Sequence, residues 1–101
     1  RVHFAWDNPR DKLEAKFAEF AANYRRKSGK SVYVLTNFGS TMEENLHRVY
    51  TLRDLGYDPY VMVYDKPNAP LEIRRLQRWC NNKFIFKKCE KFEDYGGKNG
   101  D

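Results

Sequence analysis

Residues Ser31 to Leu46 read SVYVLTNFGSTMEENL. The first half is β-branched and aromatic, so Val32 to Thr36 is expected to be a strand. Its apolar run is continuous, the pattern of a parallel strand buried on both faces. Phe38-Gly39-Ser40 then supplies a short turn. Ser40 with Glu43 three residues later makes a capping box, which opens a helix. Met42, Leu46, Val49 and Leu52 follow at helical spacing and form its expected buried face. Gly56 is the expected left-handed stop after Leu55.

The same alternation extends outward in both directions. Upstream, Val2 to Trp6 reads as a strand, and Asp7-Asn8-Pro9 as a helix start with a cap and a proline in the first turn. That helix is expected to run to about Lys27. Leu13, Phe17, Phe20 and Tyr24 fall on one face. Ser28-Gly29 would end it, with Arg25, Arg26 and Lys27 at its negative pole. Downstream, Asp58-Pro59 introduces a strand over Tyr60 to Tyr64, and Asp65 to Pro70 reads as a loop. A third helix is expected from about Pro70 to Asn81, burying Ile73, Leu76, Trp79 and Cys80. Lys83 to Cys89 reads as a short strand or an extended segment, and residues 96–101 as a disordered tail. The order βαβαβα predicts an α/β fold of three βα units with a parallel sheet and right-handed crossovers, in one domain over residues 1–95.

Such a sheet binds ligands beyond the carboxyl ends of its strands. Asp7, Thr36, Asn37 and Asp65 should therefore meet along one edge. Two carboxylates, an amide and a hydroxyl there could hold a ribose, an amino acid or a metal's water shell. Equally, Asp7 could cap the first helix and Asp65 organise its loop. Phosphate binding at Phe38-Gly39-Ser40 is disfavoured, because GxxxxGK[ST] is absent and Glu43 and Glu44 would repel the anion. No serine sits in a G-x-S-x-G elbow. His47 lies mid-helix and reads as a surface residue.

The 101 residues carry a net charge of +5. Residues 66–91 hold eight basic side chains against two acidic ones, a net +6, which leaves −1 for the rest. Arg74, Arg75, Arg78, Lys83 and Lys87 are therefore candidate contacts for an anionic partner, nucleic acid among them. Phe84, Phe86 and Phe92 interleave with these cations as a stacking surface would. A solvated helix face would give the same charge pattern. Two cysteines, Cys80 and Cys89, make neither a disulfide framework nor a metal pattern, and fit free thiols in a reducing, cytoplasmic compartment. No apolar run is long enough to span a membrane. The chain opens at Arg1 and enters an apolar run at once, which reads as a piece of a larger domain.

The stretch VYVLTNFGSTMEENLHRVYTLRDLGYDPYVMVYDKPNAP, Val32 to Pro70, resembles the second half of the radical S-adenosylmethionine (SAM) barrel. YDPYVMVYDKPNAP and RRLQRWCNN are similar to stretches of small bacterial members of that family, which end near a segment like Phe92-Glu93-Asp94-Tyr95. The resemblance covers most of residues 1–95 and implies half of a partial TIM-like barrel, the three strands here standing for strands four to six. It implies contact with SAM at Trp6 and Asp7, at Thr36 and Asn37, and at Val63, Tyr64 and Asp65. Asn37 stands where members of the family often have glycine. The family's 4Fe-4S cluster needs a CxxxCxxC loop that this chain lacks, so SAM and the cluster are expected only in a longer parent protein. The chain alone is expected to be inactive. Its natural partner would be the missing N-terminal half of the barrel, and in isolation it would dimerise, swap an element or aggregate.

Overall fold

Strand and helix alternate along the chain, as the apolar periodicities require. The computed structural model describes residues 2–24 and 29–95. Its elements are β1 (Val2–Ala5), α1 (Glu14–Asn23), β2 (Lys30–Thr36), α2 (Met42–Asp54), β3 (Asp58–Val63), α3 (Leu71–Asn81) and α4 (Lys83–Lys88). Single 3-10 turns cover Lys66–Asn68 and Phe92–Asp94. The strands form one parallel sheet in the order β1-β2-β3. Ala5 lies beside Tyr33 and Tyr33 beside Tyr60, so β2 is central and the strand ends are level.

Consecutive right-handed crossovers in that order place every helix on the same face of the sheet. The packing agrees. Trp6, Val32 and Val34 pack with Phe17 of α1 and Leu52 of α2. Val61 packs with Val49 of α2 and with Leu76, Trp79 and Cys80 of α3. The opposite face carries His3, Ala5, Tyr33, Leu35, Tyr60 and Met62, since side chains alternate along a strand. Tyr33, Tyr60 and Met62 remain 38%, 44% and 43% exposed. β2 is thus buried on one face only, a correction to the two-sided burial expected from its unbroken apolar run. Tyr33 and Leu35 are apolar because that face is an apolar shelf, and no described element packs on it.

Several boundaries differ from the sequence reading, for local reasons. The first helix begins at Glu14, not at Pro9, because Asn8 is used otherwise. Its Oδ1 accepts from Arg10 N–H at 2.9 Å, an Asx turn that competes with helix propagation. Asp7 and Asn8 therefore do not cap α1, and Leu13 precedes it with no side-chain cap. The helix ends at Asn23; Arg25–Ser28, where its basic end was expected, lie outside the described residues. The capping box of α2 is shifted by one residue. Thr41 accepts from Glu44 N–H at 3.1 Å while Glu44 Oε1 accepts from Thr41 N–H at 2.9 Å. That second bond holds the Glu44 carboxyl below its usual range. Ser40 instead donates its hydroxyl to Asn45 Oδ1 at 2.7 Å. Lys83–Lys88 is helix, not strand: Asn82 Oδ1 caps it by accepting from Phe84 and Ile85 N–H. Phe86 then turns inward onto Trp79, with ring centroids 4.8 Å apart. The tail beyond Tyr95 lies outside the described residues.

The two sheet edges are treated differently. Nothing among the described residues pairs with the outer edge of β1. The outer edge of β3 is sealed by side chains. Asn81 Oδ1 accepts from Val61 N–H at 2.8 Å, and Asn81 Nδ2 donates to Val61 C=O at 3.0 Å. The amide thereby replaces the two bonds another strand would make. Pro59 has no N–H, and its carbonyl accepts from Lys83 Nζ at 2.7 Å and from the Cys80 thiol at 3.3 Å. No further strand can add at this point.

Candidate functional site at the carboxyl ends of the strands

The level register of the strands brings the residues after β1, β2 and β3 to one edge. Asn37 and Asp65 both adopt left-handed backbone, with φ of 62° and 51°. These are the described non-glycine residues with positive φ, and each directly follows a strand or lies two residues past its end. Asn and Asp tolerate this region better than other residues, and its cost of about 1 kcal/mol or more is most often met at functional turns. Asn37 Nδ2 donates to Tyr64 C=O at 3.0 Å, tying the β2 tip to the β3 tip. Both Asp65 carboxylate oxygens accept from Asn68 Nδ2 at 3.1 Å, so this group organises its loop. Asp7 is exposed and lines two neighbouring clefts.

The first cleft, about 310 Å³, lies between Asp7-Asn8-Pro9-Arg10 and the pair Leu35 and Phe38. The second, about 720 Å³, runs down the helix-free shelf over Ala5, Tyr33, Leu35, Tyr60 and Met62. Asp7 and Arg10 give the first cleft one negative and one positive group. Arg10 is steered there by a long contact of its Nη2 to Gly39 C=O, 3.5 Å. Phe38 and Tyr64 are 60% and 54% exposed, with ring centroids 4.8 Å apart above the same edge. Together these groups can take a zwitterion beside a flat aromatic ring: Asp7 for an ammonium, Arg10 for a carboxylate, Phe38 and Tyr64 for the ring.

Other residues expected at the edge serve the framework. Trp6 is fully buried on the helix side, and its Nε1–H donates to Asp11 C=O at 3.0 Å. Thr36 is also fully buried and donates its hydroxyl to Met62 C=O at 2.9 Å. Val63 packs toward α2 and α3. Among the residues foreseen from sequence, the side chains of Asp7, Asn37, Tyr64 and Asp65 are those the fold presents at the edge.

One residue missed by sequence reasoning holds the β1 end of this edge. Arg48, in the middle of α2, is fully buried. Its Nη1 donates to Trp6 C=O at 2.7 Å and, more distantly, to Asp7 C=O at 3.4 Å. Its Nη2 donates to Asn45 Oδ1 at 2.7 Å. The guanidinium therefore pins the β1 tip to α2. Burial depresses its pKa to about 10, against the attraction of Glu44 and Asp7. The signal was present: Asn45 and Arg48 lie at i and i+3, inside the otherwise apolar Met42–Leu52 face. Arg10 was hidden in a segment assigned to a helix.

The basic candidates separate into different surroundings. Arg75 donates to Tyr95 C=O at 2.9 Å and holds the C-terminal turn. Lys83 donates to the carbonyls of Pro59 and Cys80. Lys87 lines a cleft of mixed charge at the opposite end of the strands, with Arg53, Asp54, Asp58 and Glu90. Arg74 and Arg78 line a groove beside β3 with Lys66. Phe86 and Phe92 pack on Trp79, so the stacking surface expected from Phe84, Phe86 and Phe92 does not exist as a unit.

Cys80 is buried and Cys89 half-buried, both free thiols. No cluster of three or more His, Cys, Asp or Glu side chains among the described residues could hold a metal ion. No described helix is long and apolar enough to cross a membrane. The sequence matches no protein-family model, and it shows no significant similarity to a curated protein or to a solved structure.

Proposed function

We propose that this chain is the C-terminal half of a radical SAM-like enzyme and supplies the wall that faces the SAM cofactor. The observation that carries the reading is an apolar, helix-free sheet face ending in Asp7, Arg10, Asn37 and the Phe38–Tyr64 pair. In this reading the sheet is half of a partial TIM-like barrel, and the shelf over Tyr33, Leu35 and Met62 is its interior. Asp7 takes the amino group of SAM and Arg10 its carboxylate, while Phe38 and Tyr64 flank the adenine. SAM would supply the radical chemistry once reduced at a cluster held by another segment; the residues here bind and orient it. The chain alone cleaves no SAM. Its partner is the segment that covers the shelf and pairs with the open edge of β1, and its compartment is the reducing cytoplasm, which suits two free thiols.

The test is saturation-transfer NMR with S-adenosylhomocysteine, which is stable and carries the same amino-acid and adenosine groups. Transfer to the adenine protons is expected from the protein and is expected to fall severalfold in Asp7→Ala and Arg10→Ala. Transfer unchanged by both variants, or none at millimolar ligand, overturns the proposal.

A further inference from the structure

We infer that the groove along the outer edge of β3 is a docking site for single-stranded nucleic acid. Arg74, Gln77, Arg78 and Asn81 fall at i, i+3, i+4 and i+7 of α3, one stripe of that helix. With Lys66 and Tyr60 they line a groove of about 470 Å³. Three of the six are cations, two are carboxamides, and no described carboxylate lines the groove. A solvated helix face normally mixes both signs, whereas this stripe is of one sign only.

Two features favour a ligand over another protein strand. First, the edge is closed to strand addition: Asn81 occupies both main-chain groups of Val61, and Gln77 Nε2 approaches the same carbonyl at 3.3 Å. Second, Tyr60 joins the groove to the aromatic shelf. It lines both cavities, is 44% exposed, and stands edge-on to Tyr33 with centroids 5.8 Å apart. A chain of phosphates can follow Lys66, Arg74 and Arg78 while a base stacks on the Tyr60 ring. An acidic peptide would use the cations and leave the ring idle. This inference uses neither Asp7 nor Arg10, and shares with the shelf of the cofactor reading the Tyr60 ring.

The experiment is fluorescence anisotropy with a labelled ten-nucleotide oligo-dT, repeated over a range of salt concentrations. The double variant Lys66→Gln/Arg74→Gln, both residues being exposed, is expected to weaken binding by about tenfold or more. It should also reduce the slope of log affinity against log salt by about 1 per lost contact. Tyr60→Leu is expected to weaken oligo-dT by about fivefold or more but to leave an abasic phosphodiester of equal length unaffected. Lys16→Gln on α1, Asp7→Ala and Arg10→Ala are expected to bind as the parent does. Amide spectra of each variant confirm its fold. No binding at low salt overturns the inference. So does equal binding by the double variant, or polyglutamate competing as well as oligo-dT with no effect of Tyr60→Leu.

Discussion

Replacing Arg48 with methionine keeps most of the buried volume and removes the guanidinium. Two short charge-assisted bonds disappear, to Trp6 C=O and Asn45 Oδ1, each 2.7 Å in the parent. The Trp6 carbonyl is left a buried acceptor without its donor, at about 1–3 kcal/mol, and Asn45 Oδ1, which keeps the Ser40 hydroxyl, loses a charge-assisted bond of about 1.5–3 kcal/mol, together about 2.5–6 kcal/mol. Relief from desolvating the guanidinium, whose pKa burial lowers to about 10, offsets part of this. The net expectation is a loss of about 2–4 kcal/mol. That is a large share of the roughly 5–15 kcal/mol that such a domain has. Urea unfolding measures it: with a slope of about 2 kcal/mol per molar, the midpoint falls by about 1–2 M. The backbone at Trp6 and Asp7 should also loosen, with faster amide exchange there than in β3. The exposed pair Glu14–His47 on the neighbouring surface serves as the control, and Glu14→Gln should change stability by less than about 0.5 kcal/mol. A loss below about 1 kcal/mol in Arg48→Met would refute the assignment of Arg48 as the pin of the β1 tip.

Asn45→Asp is expected to stabilise the protein by about 1 kcal/mol at neutral pH, because Asn45 Nδ2 is a buried donor with no partner and the new carboxylate would face Arg48 and the Ser40 hydroxyl; a lower urea midpoint would contradict this. Thr41→Ala should cost about 1 kcal/mol by removing the α2 cap, whereas Ser40→Ala should leave helix content unchanged, as circular dichroism can show. Stability should decline as pH rises from 9 to 10, because the unfolded Cys80 thiol ionises near 9 while burial pushes the folded one up to about 12. The folded state is favoured in full below pH 9, and about 1.4 kcal/mol is lost by pH 10. Arg48 acts in the opposite sense only above about 10. Cys80→Ala should flatten this alkaline slope, read from urea midpoints; an unchanged slope would assign it elsewhere.

The parallel α/β architecture was legible because its signals are local and agree with one another. The Val32–Thr36 run, the Gly56 stop and the Ile73, Leu76, Cys80 spacing each specify an element without reference to the rest. What failed depends on competition that spacing cannot show. Asn8 can cap a helix or form an Asx turn, and the turn prevailed, moving α1 to Glu14. Ser40 and Thr41 are both capping residues, and Thr41 wins because Ser40 is drawn to Asn45. Phe84 and Phe86 alternate as a strand would, yet Asn82 caps a helix across them and Trp79 receives Phe86. The strand-tip residues were found because parallel topology gathers them. Arg10 was hidden in a stretch that reads as helix, and Arg48, though it interrupts an apolar face, gains its role only once the β1 tip meets α2.

A residue-resolved amide titration with S-adenosylhomocysteine tests the central claim most directly. Shifts are expected to saturate together at Asp7, Arg10, Leu35, Asn37, Phe38, Met62 and Tyr64, all at one edge of the sheet and its helix-free face. Shifts centred on the opposite ends of the strands, around Arg53, Asp58 and Lys87, or no saturable shifts, would contradict it.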